Sequence, residues 1–303
     1  LIRGAVSIAE NFGLSKLVIG LTVIAFGTSA PELVVGVDAA LAGVPTLALG
    51  NVVGSNIANI LLVIGVPAMI YPFAYDSSEV KRNYFIMLAG TFLFILLCYT
   101  TPLVHFHASL LFILLGAFLY SSYKSGRLDK EQLAQDQKIA EEAYSDLAEL
   151  PETPLKSSRA SLYVLIGLIG LLYGADILVE GAVQIAKSFE VSEAIIGLTI
   201  IAFGTSLPEL VTAISAAKHG HGDVALGNII GSNIFNLYAI IGATAWVAPI
   251  PIPDSFLNVD LWVMALSSAA LIPFVIWKVR FSRVIGIVFT SAYIFYIVTL
   301  GTS

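Results

Sequence analysis

Long apolar runs separated by short polar breaks dominate the chain. A helix of about 20 residues crosses roughly 30 Å of hydrocarbon. At that scale the runs fall at residues 1–12, 16–42, 46–70, 82–101, 106–123, 160–187, 192–218, 223–248, 259–278 and 283–301. They are rich in Leu, Ile, Ala and Gly and lack strand-like alternation, which predicts helices rather than a barrel. Residues 124–159 break the pattern, because DKEQLAQDQKIAEEAYSDLAELPETP is charged, alternates in sign and ends in prolines. This stretch reads as a solvated linker with room for one helix; a regulatory ion-binding role is the competing reading. The predicted fold class is an all-α polytopic membrane protein, with residues 1–123 and 160–303 as its halves.

The halves repeat each other. Residues 1–34 align without gaps to 178–211, at an offset of 209 − 32 = 177. The register continues through GNVVGSNIAN (50–59) and GNIIGSNIFN (227–236), with more than half of the positions identical. Leu1 matches Leu178, yet SLYVLIGLIGLLYGADI precedes Leu178, so the first helix is expected to begin before Leu1. Each half then supplies five spans, ten in all, and an odd number inserts the second half upside down.

Basic residues support that inversion, since short cytoplasmic loops are enriched in Lys and Arg. With residues 124–159 inside, Lys16, Lys81, Arg82, Lys218, Lys278, Arg280 and Arg283 also fall inside. The loops at 100–107 and 249–258 fall outside and contain neither Lys nor Arg; only Lys187 disagrees. Both termini are therefore expected outside, the linker in the cytoplasm, and the chain in the plasma (inner) membrane.

Two motifs violate the apolar pattern: GTSAPELVV at 27–35 and GTSLPELVT at 204–212. Pro31 cannot donate to the Gly27 carbonyl, nor Pro208 to that of Gly204. Lipid cannot satisfy the freed oxygens, whereas an ion or water can. Glu32 and Glu209 follow, and a mid-helix acid costs about 2.5–3.5 kcal/mol on insertion scales. Facing one another they repel, and neither motif contains Lys or Arg to offset them. Inverted repeats with broken helices mark many secondary transporters, whose sites lie where the breaks meet near the bilayer centre.

Polar faces accompany the acids. Asn51, Ser55 and Asn59 recur every fourth residue on one helix face, as do Asn228, Ser232 and Asn236. Gly50 and Gly54, like Gly227 and Gly231, have the spacing that lets helices approach closely. Carboxylate, hydroxyl, amide and carbonyl oxygens are hard ligands suited to calcium and sodium.

Composition narrows the field further. The chain is 57% hydrophobic and 12% charged, far from a soluble domain. Its net charge of −6 says little about partners, and no basic patch supports nucleic-acid binding. Cys98 is the single cysteine and lies in an apolar span, so no disulfide or thiolate metal site can form within the chain. No nucleophile–base arrangement or nucleotide loop suggests an enzyme, and no cofactor is implied. The implied partners are ions and the lipid bilayer; the sequence sets no oligomeric state.

The motifs GTSAPE with GNVVGSNIAN, and GTSLPE with GNIIGSNIFN, resemble the alpha repeats of the cation/calcium exchanger superfamily, in particular sodium/calcium exchangers of prokaryotic type. The resemblance covers nearly the whole chain. It implies ten helices, alternating access, and sodium entry driving calcium export. It places calcium between Glu32 and Glu209 with the carbonyls of Thr28 and Thr205. Sodium would use the same acids with Ser29, Ser55, Ser206 and Ser232 and the carbonyls of Ala25 and Ala202, and Asn59 and Asn236 would line the middle. Some relatives carry Asp at the position of Asn236; the amide here argues against potassium co-transport and keeps the site at two formal negative charges. A proton/calcium antiporter of the same fold is the alternative, with a cation channel further behind.

Other polar residues are less telling. Asp176 and Glu180 lie one turn apart and could guide ions or simply bond helix ends. Asp38 is expected to be a solvated acid near the outer end of its helix. His105 and His107, and the pair in HGHGD at 219–223, have a His-x-His spacing without an obvious third ligand and read as loop residues.

Overall fold

The computed structural model describes residue 7 and residues 25–100, 102–125 and 155–301, a few helical positions by backbone alone. The predicted span 1–12, the start of 16–42, most of the linker and the side chain of Asp176 lie outside the described residues. In chain order the helices are α1 (Ala25–Thr28), α2 (Ala30–Leu41), α3 (Pro45–Leu61), α4 (Gly65–Ile70), α5 (Ser78–Cys98), α6 (His105–Ser125) and α7 (Ser157–Phe189). Then follow α8 (Glu193–Ile196), α9 (Ala202–Thr205), α10 (Leu207–Lys218), α11 (Gly222–Phe235), α12 (Ile241–Val247), α13 (Leu261–Ala269), α14 (Ile272–Trp277) and α15 (Arg283–Leu300). Wider π turns at Gly197–Ile201, Asn236–Ile240 and Phe256–Asp260 join α8 to α9, α11 to α12, and lead into α13.

Six helices among the described residues are long and apolar enough to cross a membrane: Pro45–Ile70, Ser78–Cys98, His105–Ser122, Gly222–Val247, Phe256–Trp277 and Arg283–Leu300. A seventh arises if the segments Glu193–Thr205 and Leu207–Lys218, bent by 42°, are one broken span. The predicted boundaries agree to within a few residues because apolar length decides them. Serine caps mark several starts: Ser77 accepts from the amides of Glu79 and Val80, Ser192 from Ile195, and Ser282 from Ile285.

Depth in the bundle differs by helix. In Pro45–Ile70 and Gly222–Val247, 78% of the apolar window is buried, against 17% in His105–Ser122 and 22% in Arg283–Leu300. The first two form the centre and the others present their faces to lipid. Close approach at the centre depends on glycine. A Cβ on Gly50 would sit 2.2 Å from the Ala194 carbonyl, one on Gly54 2.5 Å from that of Leu198, and one on Gly197 2.4 Å from that of Leu47. Around Gly227, Val80 at 3.8 Å is the nearest contact among the described residues. The repeat of residues 194–202 in the first half, 17–25, lies almost wholly outside the described residues.

Loops gather at two ends. At one, Phe73 and Phe281 pair as an isolated antiparallel bridge, Arg280 donates to the Pro72 carbonyl, and Lys278 pairs with Asp76. Asp223 Oδ1 accepts from the amides of Asp76 at 2.9 Å and Ser77 at 2.8 Å. Tyr75 donates to the Val275 carbonyl at 2.7 Å. Burial, with Asp223 and then Asp76 alongside, pushes the Tyr75 phenol above its ordinary range, so the hydroxyl remains a donor. At the other end Leu103 and Ile250 pair, and His105 packs edge-on to Trp246. Loops predicted on the same side thus touch. The α3–α4 rod ends at the 71–77 loop where the repeat-related α11 begins, so the two run in opposite directions.

Asp223 therefore ties the start of α11 to the start of α5. Charge-assisted bonds of this kind contribute about 1.5–3 kcal/mol each. Asp223→Ala is expected to lower the thermal stability of the purified protein measurably, while Asp223→Asn, which keeps the acceptor, recovers most of it. Equal melting of the alanine and asparagine variants would show that the carboxylate is not the tie.

Candidate functional site

Two helix breaks meet the middles of two helices. Ser29 separates α1 from α2 at φ −91°, ψ 5°, and Ser206 separates α9 from α10 at φ −83°, ψ 1°. Both occupy the narrow region between helix and extended backbone. Pro31 and Pro208 fall in the first turn of the new helix, where a missing N–H costs nothing. Glu32 and Glu209 share those first turns, where the helix's positive end favours a carboxylate. Each acid is almost inaccessible, at 1% and 0% exposed.

The halves exchange hydrogen bonds across the site. Ser29 Oγ lies 3.1 Å from both Glu209 Oε1, to which it can donate, and Ser232 Oγ, and Ser232 Oγ lies 3.4 Å from Glu209 Oε1. Thr205 Oγ1 donates to Asn51 Oδ1 at 3.1 Å and Ser55 Oγ to the same atom at 3.3 Å. Thr205 is also within hydrogen-bonding reach of Glu32, as Thr28 is of Glu209, and the two carboxylates feel each other's charge. Asn59 Nδ2 donates to Asn233 Oδ1 at 2.9 Å.

These bonds leave much unsatisfied. Glu32 Oε2, Glu209 Oε2, Ser206 Oγ, Asn59 Oδ1, and both side-chain atoms of Asn56, Asn228 and Asn236 are buried with no partner among the described residues. Each such group costs about 1–3 kcal/mol, more when charged. Buried oxygens without partners at the two breaks call for a ligand that bonds oxygen. Two carboxylates beside neutral hydroxyls and amides make that ligand a hard cation.

The family model for "Sodium/calcium exchanger protein" matches residues 1–124 and 160–301. The chain belongs to the sodium/calcium exchanger family. Relatives span nearly its whole length. It is 40% identical over 298 residues to the putative antiporter CaxA of Alkalimonas amylolytica, covering 97% of this chain and 91% of that one. It is 34% identical to the inner membrane protein YrbG of Escherichia coli K12, covering 99% and 91%. The solved structure of the sodium-calcium exchanger NCX_Mj, soaked with sodium and calcium, is similar at TM-score 0.68 and 31% identity over 99% of this chain and 92% of that one. The chain is thus a multi-pass membrane protein of a transporter family and not an enzyme.

Within this exchanger fold, the residues singled out from the motifs converge. Thr28, Ser29, Glu32, Ser55, Asn59, Thr205, Ser206, Glu209, Ser232 and Asn236 are all buried. Ala25 opens α1 and Ala202 opens α9, its carbonyl accepting from the Ser206 amide at 3.1 Å with one lone pair left. Sequence reasoning missed Asn56 and Asn233, which sit next to the serines of both GSN triplets and are 1% exposed. Asn233 joins the halves through Asn59 and through its own amide, 3.3 Å from the Asn56 carbonyl. Their signal was the asparagine three residues before Asn59 and Asn236, hidden by attention to the every-fourth-residue face.

Several residues gain detail from the structure. Asp38 is half-buried and has a partner rather than being solvated, because α2 lies against neighbouring helices. Ser55 turns back to Asn51, unlike its repeat partner Ser232. His105 and His107 fall in the first turn of α6 rather than in a loop, and His107 bonds through Nε2 to Thr100 at 2.9 Å and through Nδ1 to the Val104 amide at 3.0 Å. Glu180 pairs with Gln184 one turn on, at the exposed surface of α7.

Proposed function

We propose that the chain is a secondary antiporter that exchanges sodium for calcium by alternating access, with sodium entry driving calcium efflux. The observation that carries this reading is the pair of buried carboxylates, each with an orphaned oxygen, at two mirrored helix breaks. Calcium would lie between Glu32 and Glu209 with the carbonyls of Thr28 and Thr205. Sodium would occupy the same acids with Ser29, Ser55, Ser206 and Ser232 and the carbonyls of Ala25 and Ala202, with Asn59 and Asn236 at the centre. Two formal charges balance one calcium, so the ions compete for shared oxygens, and this exclusion couples their fluxes. The sequence repeat supports ten spans in two inverted halves, 1–123 and 160–303, around a cytoplasmic linker at 124–159. Such a protein would reside in the plasma (inner) membrane.

The test is calcium uptake into vesicles holding the purified protein, driven by an outward sodium gradient. Uptake is expected to persist when the pH gradient is collapsed and when potassium is replaced by choline, because Asn236 supplies an amide rather than a third acid. Uptake that follows the pH gradient at constant sodium would overturn sodium coupling. A flux that needs no counter-ion would indicate a channel.

A further inference from the structure

The site's hydrogen bonds do not follow its repeat. Ser29 reaches Glu209 and Ser232, yet the repeat-related Ser206, whose mirror targets are Glu32 and Ser55, has an orphaned hydroxyl. Thr205 reaches Asn51, yet both side-chain atoms of Asn228, the repeat of Asn51, are unpartnered among the described residues. Deeper in, Asn59 bonds Asn233 at 2.9 Å, while the mirror pair, Asn236 and Asn56, leaves all its side-chain nitrogens and oxygens unpartnered. Each of these bonds is made on one side of the repeat only.

A physical cause is visible at Asn236. There α11 gives way to the π turn Asn236–Ile240, whereas α3 remains α-helical through Leu61. The wider turn begins at Asn236, where the repeat-related Asn59 sits inside a regular α-helix. Two halves that repeat each other can each adopt the other's conformation, and exchanging them opens the opposite face of the site. Amides left orphaned in one state are tolerable if the mirror state satisfies them.

We propose that Asn56, Asn59, Asn233 and Asn236 form a two-position latch: the Asn59–Asn233 bond is closed in this structure, and in the mirror state it opens while Asn236 closes on Asn56. The latch deepens the antiport reading and rests on it, because only a site that faces each side in turn needs both positions. It would set how the empty protein divides between its two faces.

Hydrogen exchange read by mass spectrometry, on the full chain in lipid nanodiscs without calcium or sodium, tests the latch. The observable is the ratio of exchange at residues 30–41 to that at 207–218, the two helices that follow the breaks. Asn233→Ala removes the closed bond and should move the ratio about threefold one way, the equivalent of the ~0.6 kcal/mol typical of an interhelical bond in a membrane. Asn56→Ala removes the mirror bond and should move it by a similar factor the other way; the double variant should return near the wild-type value. If Asn233→Ala does not fold, Asn59→Ala opens the same bond from its donor and carries the same expectation. Shifts in the same direction, or none, overturn the latch. Opposite shifts in a protein that shows no sodium-driven calcium flux would keep the latch and remove sodium–calcium coupling from the antiport reading, whereas flux with coincident shifts would keep the coupling and remove the latch.

Discussion

Glu209→Gln is expected to abolish sodium-driven calcium uptake while leaving the protein folded. The substitution keeps the shape of the side chain and removes one of the two charges that face a bound ion. A unit charge about 4 Å away is worth roughly 4 kcal/mol at an effective dielectric of 20, about three orders of magnitude in affinity. The fold should tolerate the change, because an unpaired buried carboxylate is itself a burden that the amide relieves. Glu32→Gln should behave alike, since Glu32 holds the repeat-related place with the same burial and an orphaned oxygen of its own. Radioactive calcium uptake at a fixed sodium gradient provides the measurement, with size-exclusion profiles reporting folding. Uptake within tenfold of wild type in either variant would show that the carboxylates do not hold calcium.

Gly50→Ala should cost the fold instead. The added Cβ would lie 2.2 Å from the Ala194 carbonyl oxygen and 2.9 Å from the Leu198 amide nitrogen, both backbone atoms of the opposing wall. No flexible side chain can give way, so two central segments must separate. Overpacking usually costs about 1–3 kcal/mol, and more where neighbours cannot relax. Gly197→Ala attacks the same seam from the other wall, 2.4 Å from the Leu47 carbonyl, and should fail similarly. Gly116→Ala, on the exposed face of α6 with no heavy atom within 4 Å among the described residues, should be silent. Thermal melting in detergent ranks the three. A Gly50→Ala protein that melts like wild type would mean the seam is looser than its distances indicate.

The two sets of variants separate what was legible in the chain from what was not. Helix positions were legible because crossing hydrocarbon demands a fixed apolar length, which can be counted residue by residue. The breaks at Ser29 and Ser206 followed from Pro31 and Pro208, since a proline removes its hydrogen bond wherever it lies. The paired acids and the Asn51–Ser55–Asn59 face needed only helical periodicity, and the duplicated motifs supplied their counterparts. The close seam at Gly50 and Gly54 was suggested by spacing, though its partner, residues 194–202, was not.

What stayed hidden depends on atoms far apart in sequence. Asp223 capping the start of α5, Asp38 half-buried against other helices, and Asn233 bridging to Asn59 are contacts between segments whose mutual position no local pattern encodes. A duplicated sequence offers Ser29 and Ser206, or Asn59 and Asn236, as equals. The chain alone therefore determined a symmetric inventory: repeated apolar spans, two broken helices, two acids and their oxygen-bearing faces. Only the tertiary structure decided which member of each pair makes its bond, because that depends on how the two halves pack, and they differ locally, as at the π turn Asn236–Ile240.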